Sequence, residues 1–214
     1  VDVISVNTPA LIYDKEEAAM AQHRADAEGF LETLPPVSHP RACVPRILLT
    51  HIPLFRKWSE KCGPRRQAKS SIQQFYGDHF QNLVGQSESN RLLSRVRPVL
   101  VLTGDDHDYC TVAHPYGVIE ETVGTFSWLQ GMCCPSVLLL SINQTRAVQV
   151  EQECVAALAS ASLDGVQHSN VTGANDASLL VTAPCFLPNQ LKIYTWYAVL
   201  GCLTLLLLVV APLL

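Results

Sequence analysis

Two short stretches of the chain place imidazole and carboxylate side chains directly behind apolar runs. His51 follows the run "ILLT", and Asp105 and His107 follow "VLVLTG". Imidazole nitrogen and carboxylate oxygen together suit Zn²⁺, Mn²⁺ or iron ions. The residue types therefore point to a metal site that is built from two loops.

More ordinary roles exist for each of these residues. A single histidine behind a strand is commonly a hydrogen-bonded loop residue, and an acidic pair such as Asp105 and Asp106 is commonly a solvated turn or a helix cap. What favours the metal site is that both groups occupy the same kind of position, at the end of an apolar run.

Apolar runs and helix-favouring segments alternate in the first half of the chain. The predicted elements are a strand over Val3 to Val6, a helix over Lys15 to Leu34, a strand over Ile47 to Thr50, a helix capped by Ser87 or Ser89, and a strand over Val99 to Thr103. This order is typical of an α/β layer, in which functional groups collect at the carboxyl ends of the strands. Gly104 is expected to permit the sharp turn behind the last strand. Two later runs, which begin at Ile119 and Ser136, are expected to pair with each other at the far side of the sheet.

Composition and the ends of the chain suggest three regions. The 214 residues are 48% apolar with a formal charge of −4, and no cluster of Lys or Arg indicates a nucleic-acid groove. We assign residues 1–150 to one domain and the small and polar residues 151–190 to a flexible connector. The uncharged residues 193–214 are assigned to a transmembrane helix. The alternative for this last segment is a buried core helix. Because Val1 already lies in a strand-like run, we expect the chain to be a fragment that lacks its natural beginning.

Cysteines and glycosylation motifs favour the secretory lumen. The chain contains eight cysteines without zinc-finger spacing, and Asn143 and Asn170 each begin an Asn-x-Thr sequon.

Beyond these patterns, the chain resembles a known family. "LLTHIPLFR" and "VLTGDDHDYC", in this order, resemble the last two motifs of the calcineurin-like metallophosphoesterases. More narrowly, "KCGPRR", "HFQNL", "EETVGTFSW" and "CFLPNQLKIYTWY" resemble the membrane-anchored eukaryotic branch that removes ethanolamine phosphate from the mannoses of GPI anchors. The resemblance implies the C-terminal half of a metallophosphoesterase β-sandwich flanked by helices.

The same resemblance implies roles for individual residues. His51 and Asp105 would be metal ligands, with Asp105 in a place where the wider family has histidine, and His107 would bind the other of two divalent ions, for which Mn²⁺, Zn²⁺ or iron is suitable. Supporting roles around the ligands are expected for Asp106, Asp108 and Tyr109.

Basic residues and cysteines flank the two motifs. Arg56, Arg65 and Arg66 are candidates to bind substrate phosphate, although exposed arginines often serve only solvation. Cys62 and Cys110 follow the two motif loops and are expected to form a disulfide. For His79 and His114 a structural role is preferred over a place in the site.

By resemblance, the parent protein is expected to be a lumenal phosphodiesterase in the endoplasmic reticulum or Golgi membrane, acting on GPI lipid or GPI-anchored proteins. Its remaining metal-binding motifs are expected before Val1, so the fragment is expected to be inactive alone. The alternatives are another phosphoesterase on the same scaffold, or a non-catalytic membrane-bound adaptor for GPI-anchored cargo.

Overall fold

A five-stranded sheet forms the centre of the domain. The computed structural model describes residues 1–12, 18–77, 80–160 and 178–211. The strands of the sheet are β1 (Asp2–Val6), β2 (Arg46–Thr50), β5 (Leu100–Thr103), β6 (Cys110–Ala113) and β7 (Ile119–Thr122). They lie in the order β1-β2-β5-β7-β6, with parallel pairing between the first four and antiparallel pairing of β6 with β7.

Helices cover one face of this sheet. They are α1 (Thr8–Ile12), α2 (Ala18–Thr33) and α3 (Gln86–Val96). Leu31 of α2, Leu48 of β2, Leu92 of α3 and Val101 of β5 belong to one apolar cluster and are each at most 1% exposed. Burial on both faces explains why β2 and β5 read as continuous apolar runs. Helix α2 confirms the helix predicted over Lys15 to Leu34, whereas the short helix α1 ahead of it was not predicted, and residues 13–17 lie outside the described ranges.

The opposite face is covered by a second small sheet and a helix. Strands β8 (Ser136–Ile142) and β9 (Leu180–Phe186) pair antiparallel, and helix α4 (Gln144–Ala159) follows β8. Leu179, Leu180 and Ala147 join Ile47 and Leu100 in a second apolar cluster. A mixed α/β architecture is therefore confirmed, whereas the complete metallophosphoesterase sandwich stays a prediction.

Two details of this face differ from the sequence-based expectation. The run that begins at Ser136 pairs with β9 and not with β7, because the strands adjacent to β7 are β5 and β6. In addition, residues 151–159 are helical and residues 180–186 form β9, so the segment 151–190 is not a connector at these positions. Both elements are fixed by non-local packing, since β9 pairs with β8 and α4 is bridged to Cys43. The centre of that segment, 161–177, lies outside the described residues.

Two disulfides link elements that are distant in sequence. Cys62 pairs with Cys110 across 48 positions, as predicted, and Cys43 pairs with Cys154 across 111 positions. The first holds the loop behind β2 to the start of β6. The second fastens α4 to the 3₁₀ turn Pro40–Cys43 ahead of β2.

Helix α5 (Gln190–Val210) extends away from the domain. By length and composition it is capable of crossing a membrane, and none of its apolar window is buried against the domain. At about 1.5 Å per residue, some 20 residues span the roughly 30 Å hydrocarbon layer. The helix begins three residues before the predicted span, and positions 212–214 lie outside the described residues.

Two short strands complete the fold, β3 (Tyr76–Gly77) and β4 (Phe80–Gln81).

Candidate metal centre

The two motif loops meet at the carboxyl ends of β2 and β5. These strands are parallel neighbours, so the residues that follow them emerge at the same edge of the sheet. The Nε2 atom of His51 lies 3.4 Å from Oδ1 of Asp105, and the amide of Gly104 donates to the carbonyl of His51 at 2.9 Å. The juxtaposition predicted from the strand-end positions of these two side chains is thus present.

Asp105 and His107 carry the sharp bend behind β5. Both have left-handed backbone conformations, with φ angles of 64° and 66°. Such a conformation costs a residue with a Cβ about 1–2 kcal/mol, although Asp adopts it more readily than most residues. The expectation that Gly104 makes the bend is therefore wrong, because Gly104 is not among the residues with positive φ.

Hydrogen bonds hold the loop that carries His51. The amide of Ile52 donates to Oγ1 of Thr8 at 3.1 Å, and Oγ1 of Thr50 donates to the carbonyl of Ile52 at 3.0 Å. The amide of Leu54 donates to the buried carboxylate of Glu120 at 3.2 Å. The His51 side chain itself stays 64% exposed, so it projects from a fixed backbone into solvent.

The donor pair at the strand ends fits a divalent ion. Two ligands each about 2.1 Å from one ion lie about 3.0–3.4 Å apart at right or tetrahedral angles, and the 3.4 Å between His51 and Asp105 falls within this range. The His107 side chain is exposed as well. Among the residues that the structure describes, no three His, Cys, Asp or Glu side chains converge on one point. The pair alone is therefore not a complete metal site, and the ligand roles of His51, Asp105 and His107 stay predictions.

Asp108 fixes a neighbouring loop to the motif. Its side chain is 1% exposed, and its carboxylate accepts hydrogen bonds from the amides of Gln67 at 3.1 Å, Ala68 at 2.7 Å and Tyr109 at 2.7 Å. A buried carboxylate is costly unless its oxygens are hydrogen-bonded, and here three amides fulfil that need. Asp108 therefore holds the loop that contains Arg66, and its predicted supporting role around the metal ligands stays a prediction.

Arg66 pairs with the acids of the motif. Its Nη1 lies 2.5 Å from Oδ2 of Asp106, and its Nε donates to the carbonyl of Ser70 at 2.6 Å. Burial raises the pKa of Asp106, and Arg66 opposes this by its hydrogen bond and charge. The Arg66 side chain is 8% exposed and is already paired with Asp106. The structure therefore shows Arg66 in contact with Asp106 and largely shielded from solvent, where a substrate phosphate would arrive.

Tyr109 connects the motif to β7 and β9. Its hydroxyl donates to Oε2 of Glu121 at 2.9 Å, and Oε1 of Glu121 accepts from Thr182 at 2.5 Å. The Tyr109 ring meets Phe186 edge to face with centroids 6.4 Å apart. Burial, reinforced by the Glu121 carboxylate, raises the pKa of Tyr109. The residue thus anchors the end of the motif loop, and its predicted supporting role around the metal ligands stays a prediction.

Sequence reasoning missed a buried ionic cluster centred on Glu120. This carboxylate is 0% exposed, pairs with Arg56, and lies 2.5 Å from Nε2 of His114. It also accepts from Thr103 at 3.1 Å. The signal in the sequence is the pair of consecutive acids within a strand, since one of two neighbouring strand residues must face the interior of a covered sheet.

The cluster corrects one expectation and agrees with another. Arg56 is 4% exposed and its guanidinium also contacts the sulfur of Cys110 at 3.0 Å, so it is not placed to bind phosphate from solvent. His114 has the structural role that was preferred for it. Arg65 is exposed, and the structure leaves its phosphate role untested.

The remaining candidates are peripheral. Asn143 caps α4 through Oδ1, which accepts from the amide of Arg146 at 3.0 Å, and its glycosylation stays a prediction. Asn170 and His79 lie outside the described residues.

Comparison with known proteins gives partial matches. The chain is 33% identical over 121 residues to Cell division control protein 1 of Saccharomyces cerevisiae, covering 53% of this chain and 24% of that protein. It is 33% identical over 111 residues to Metallophosphoesterase 1 of Gallus gallus, covering 52% and 26%, and 34% identical over 82 residues to that of Mus musculus, covering 38% and 21%. No family model matches, and no solved structure matches.

The chain therefore spans about a quarter of the length of the curated relatives it matches. Several of these relatives are named Metallophosphoesterase 1, and this chain brings an imidazole and a carboxylate to within 3.4 Å of each other at its strand ends. Together, these similarities support a metallophosphoesterase-type family for this chain.

Proposed function

We propose that the full-length protein is a metal-dependent phosphodiesterase that removes ethanolamine phosphate from a mannose of GPI anchors. The observation that carries the proposal is the pairing of His51 with Asp105 at the ends of β2 and β5, in a chain similar to proteins named Metallophosphoesterase 1. The phosphodiesterase reaction and its GPI substrate rest on the motif resemblance.

In this proposal His51 and Asp105 hold one divalent ion, and His107 contributes to a second. Mn²⁺ is the preferred ion, with Zn²⁺ or iron as alternatives, since a carboxylate in place of an imidazole makes the donor set harder. When bound, the ions supply Lewis-acid polarisation of the phosphate and stabilise charge on the leaving oxygen. The further ligands are proposed to come from parts of the protein outside these 214 residues.

The chain's own residues position these ligands. The Gly104 amide locks the two loops together through the carbonyl of His51, and the Thr125 amide donates to the carbonyl of His107 at 2.8 Å. Arg66 neutralises part of the acidic charge of Asp106 beside the ligands. Arg65, being exposed, is the arginine left to meet a substrate phosphate from solvent.

We further propose that the domain lies in the lumen of the endoplasmic reticulum or Golgi, with α5 as a membrane span. Two disulfides support an oxidising compartment, because such bonds are rare in the cytosol. GPI lipid or GPI-anchored proteins would then be reached from the lumenal side.

The test is hydrolysis by the purified full-length protein of a GPI glycolipid that carries ethanolamine phosphate. We expect release of ethanolamine phosphate to require a divalent ion and to fall by more than about tenfold in His51→Ala and Asp105→Asn, since loss even of residues that only support a metal ligand typically costs about 10–100-fold. His23→Ala, which changes an exposed histidine of α2, is the matched control. Hydrolysis of other phosphodiesters but not of this lipid would favour another phosphoesterase, and binding of GPI-anchored proteins without hydrolysis would favour the adaptor.

A further inference from the structure

An uncharged, apolar loop lies between the candidate metal centre and the start of α5. We define this docking loop as residues 124–131, "GTFSWLQG". Phe126 is 67% exposed and Leu129 is 74% exposed, although both are large apolar side chains. The chain has no Asp, Glu, Lys or Arg from 122 to 145, so the sequence on both sides of the loop is uncharged as well.

The docking loop contacts the aromatic beginning of α5. The ring of Trp128 lies against that of Tyr194, with centroids 5.6 Å apart and planes tilted by 58°. Trp196 and Tyr197 follow on the helix and are 67% and 69% exposed. Trp and Tyr concentrate where a membrane span meets the headgroup layer. The contact therefore places the docking loop at the depth where α5 would enter a bilayer.

Hydrogen bonds connect the docking loop both to the site and to α5. The amide of Thr125 donates to the carbonyl of His107 at 2.8 Å, and the carbonyl of Thr125 accepts from the amide of Ser136 at 2.8 Å. Next to Ser136, the carbonyl of Pro135 accepts from the amide of Leu187 at 2.7 Å, shortly before α5 begins. This continuous backbone path fixes the site relative to the helix end.

The loop is rigid enough to present its apolar tip. The hydroxyl of Ser127 accepts from the amide of Leu129 at 3.2 Å and caps the 3₁₀ turn Trp128–Gln130. A Cβ at Gly124 would lie 2.5 Å from Oγ of Ser136, so this position closes tightly against β8. Phe126 and Leu129 are thus held outward by the fold.

We propose that the docking loop inserts Phe126 and Leu129 into the lipid surface from which α5 emerges, so that the metal centre faces the membrane and accepts a phosphodiester carried on a lipid headgroup. The lipid surface is the occupant that the exposed apolar tip and the neighbouring aromatic belt fit, since exposed apolar patches mark interaction sites and uncharged aromatic segments partition into the interface. The choice of substrate rests on the proposed phosphodiesterase activity, whereas the docking rests on the proposed membrane span α5 and not on that activity.

Tryptophan quenching tests the docking without any activity. The full-length protein is reconstituted into phosphatidylcholine vesicles with bromine high on the acyl chains, and emission is compared among Trp128→Phe, Trp196→Phe and Trp58→Phe. We expect Trp128 and Trp196 to contribute bromine-quenched emission. Trp58, which is 80% exposed and lies between Lys57 and Glu60, should contribute unquenched emission. Unquenched Trp128 emission beside quenched Trp196 emission would overturn the proposal and indicate that the loop meets a protein or solvent.

A second measurement tests the orientation of the site. In the double variant Phe126→Ser, Leu129→Ser, we expect hydrolysis of a headgroup phosphodiester in vesicles to fall roughly tenfold. The two serines lose apolar contact with the lipid interface, so binding of the domain to the membrane surface in the orientation needed for hydrolysis becomes weaker. Hydrolysis of a soluble chromogenic phosphodiester should stay within about twofold, and Trp58→Ser should leave both rates unchanged. An equal fall with both substrates would contradict the orientation. If the unsubstituted protein hydrolyses neither, the proposed function fails while the quenching result still decides the docking.

Discussion

His51 and Asp105 face each other at 3.4 Å from two loops that the parallel pairing of β2 and β5 brings to one sheet edge. The contact unites an imidazole that is 64% exposed with a carboxylate that is 32% exposed. An exposed pair of this kind contributes little to stability, typically 0–1 kcal/mol. The loops that present it are, however, fixed by several buried hydrogen bonds, so the position of the pair is set by the surrounding fold.

Exchange of the carboxylate for an imidazole should change the metal preference. In full-length Asp105→His, we expect the bound ratio of Mn²⁺ to Zn²⁺ to fall at least threefold when both ions are offered equally, because imidazole suits Zn²⁺ better than Mn²⁺. The metal content of the purified protein, measured by elemental analysis, checks this. An unchanged ratio would mean that Asp105 is not a ligand, and Glu60→His provides a matched acid-to-histidine control on a surface loop.

Loss of the buried acid of β7 should strongly destabilise the domain. Glu120→Ala leaves Arg56 and His114 without their shared partner, and removal of one member of a buried ion pair costs about 3–5 kcal/mol. The matched change Glu153→Ala removes a partner of Arg146 that is 64% exposed and should cost less than about 1 kcal/mol. Pulse proteolysis of the full-length protein in urea measures both, and equal midpoints would contradict the role assigned to Glu120.

The sequence was informative where local pattern determines structure. Continuous apolar runs revealed β2 and β5, and their common context revealed that His51 and Asp105 share one edge. For Glu120 and Glu121 the local pattern gave only the hint that one of two consecutive acids in a covered strand must face the interior, and it did not identify their partners. Their burial depends on Arg56, His114, Tyr109 and Thr182, which tertiary packing brings together from distant parts of the chain.

Backbone conformation and the outer layer were harder to predict. A glycine at 104 suggested the bend, yet the left-handed residues are Asp105 and His107, because the turn is fixed by the hydrogen bonds of Gly104 and Thr125. The small side chains of 151–159 gave little amphipathic signal, and α4 is held by the Cys43–Cys154 bridge. Disulfide partners 111 positions apart cannot be identified from spacing.

Cysteine reactivity should follow the pairing in the structure. In the full-length protein labelled without reductant, Cys133 and Cys134 should react with an alkylating reagent, while the four bridged cysteines should react only after reduction. Peptide mass mapping distinguishes the sites. The hydrogen bond with Cys133 raises the pKa of Cys134, so labelling of Cys134 should accelerate as the pH rises through the alkaline range. Labelling of Cys62 and Cys110 before reduction would refute the bridge between the motif loops.

Removal of the Asp108 carboxylate should release the loop that it holds. Asp108→Ala deletes the acceptor for the amides of Gln67 and Ala68, so both amides should exchange with solvent deuterium at least tenfold faster, corresponding to about 1.4 kcal/mol of local stability. Because the same loop carries Arg66, its ion pair with Asp106 should weaken as well. Hydrogen exchange measured by mass spectrometry on the full-length protein reports the loop directly. Asp26→Ala, on the exposed face of α2 and bonded to Gln22, should leave exchange at 67 and 68 unchanged. If the exchange there stays slow in Asp108→Ala, another contact holds the loop and Asp108 does not support the site.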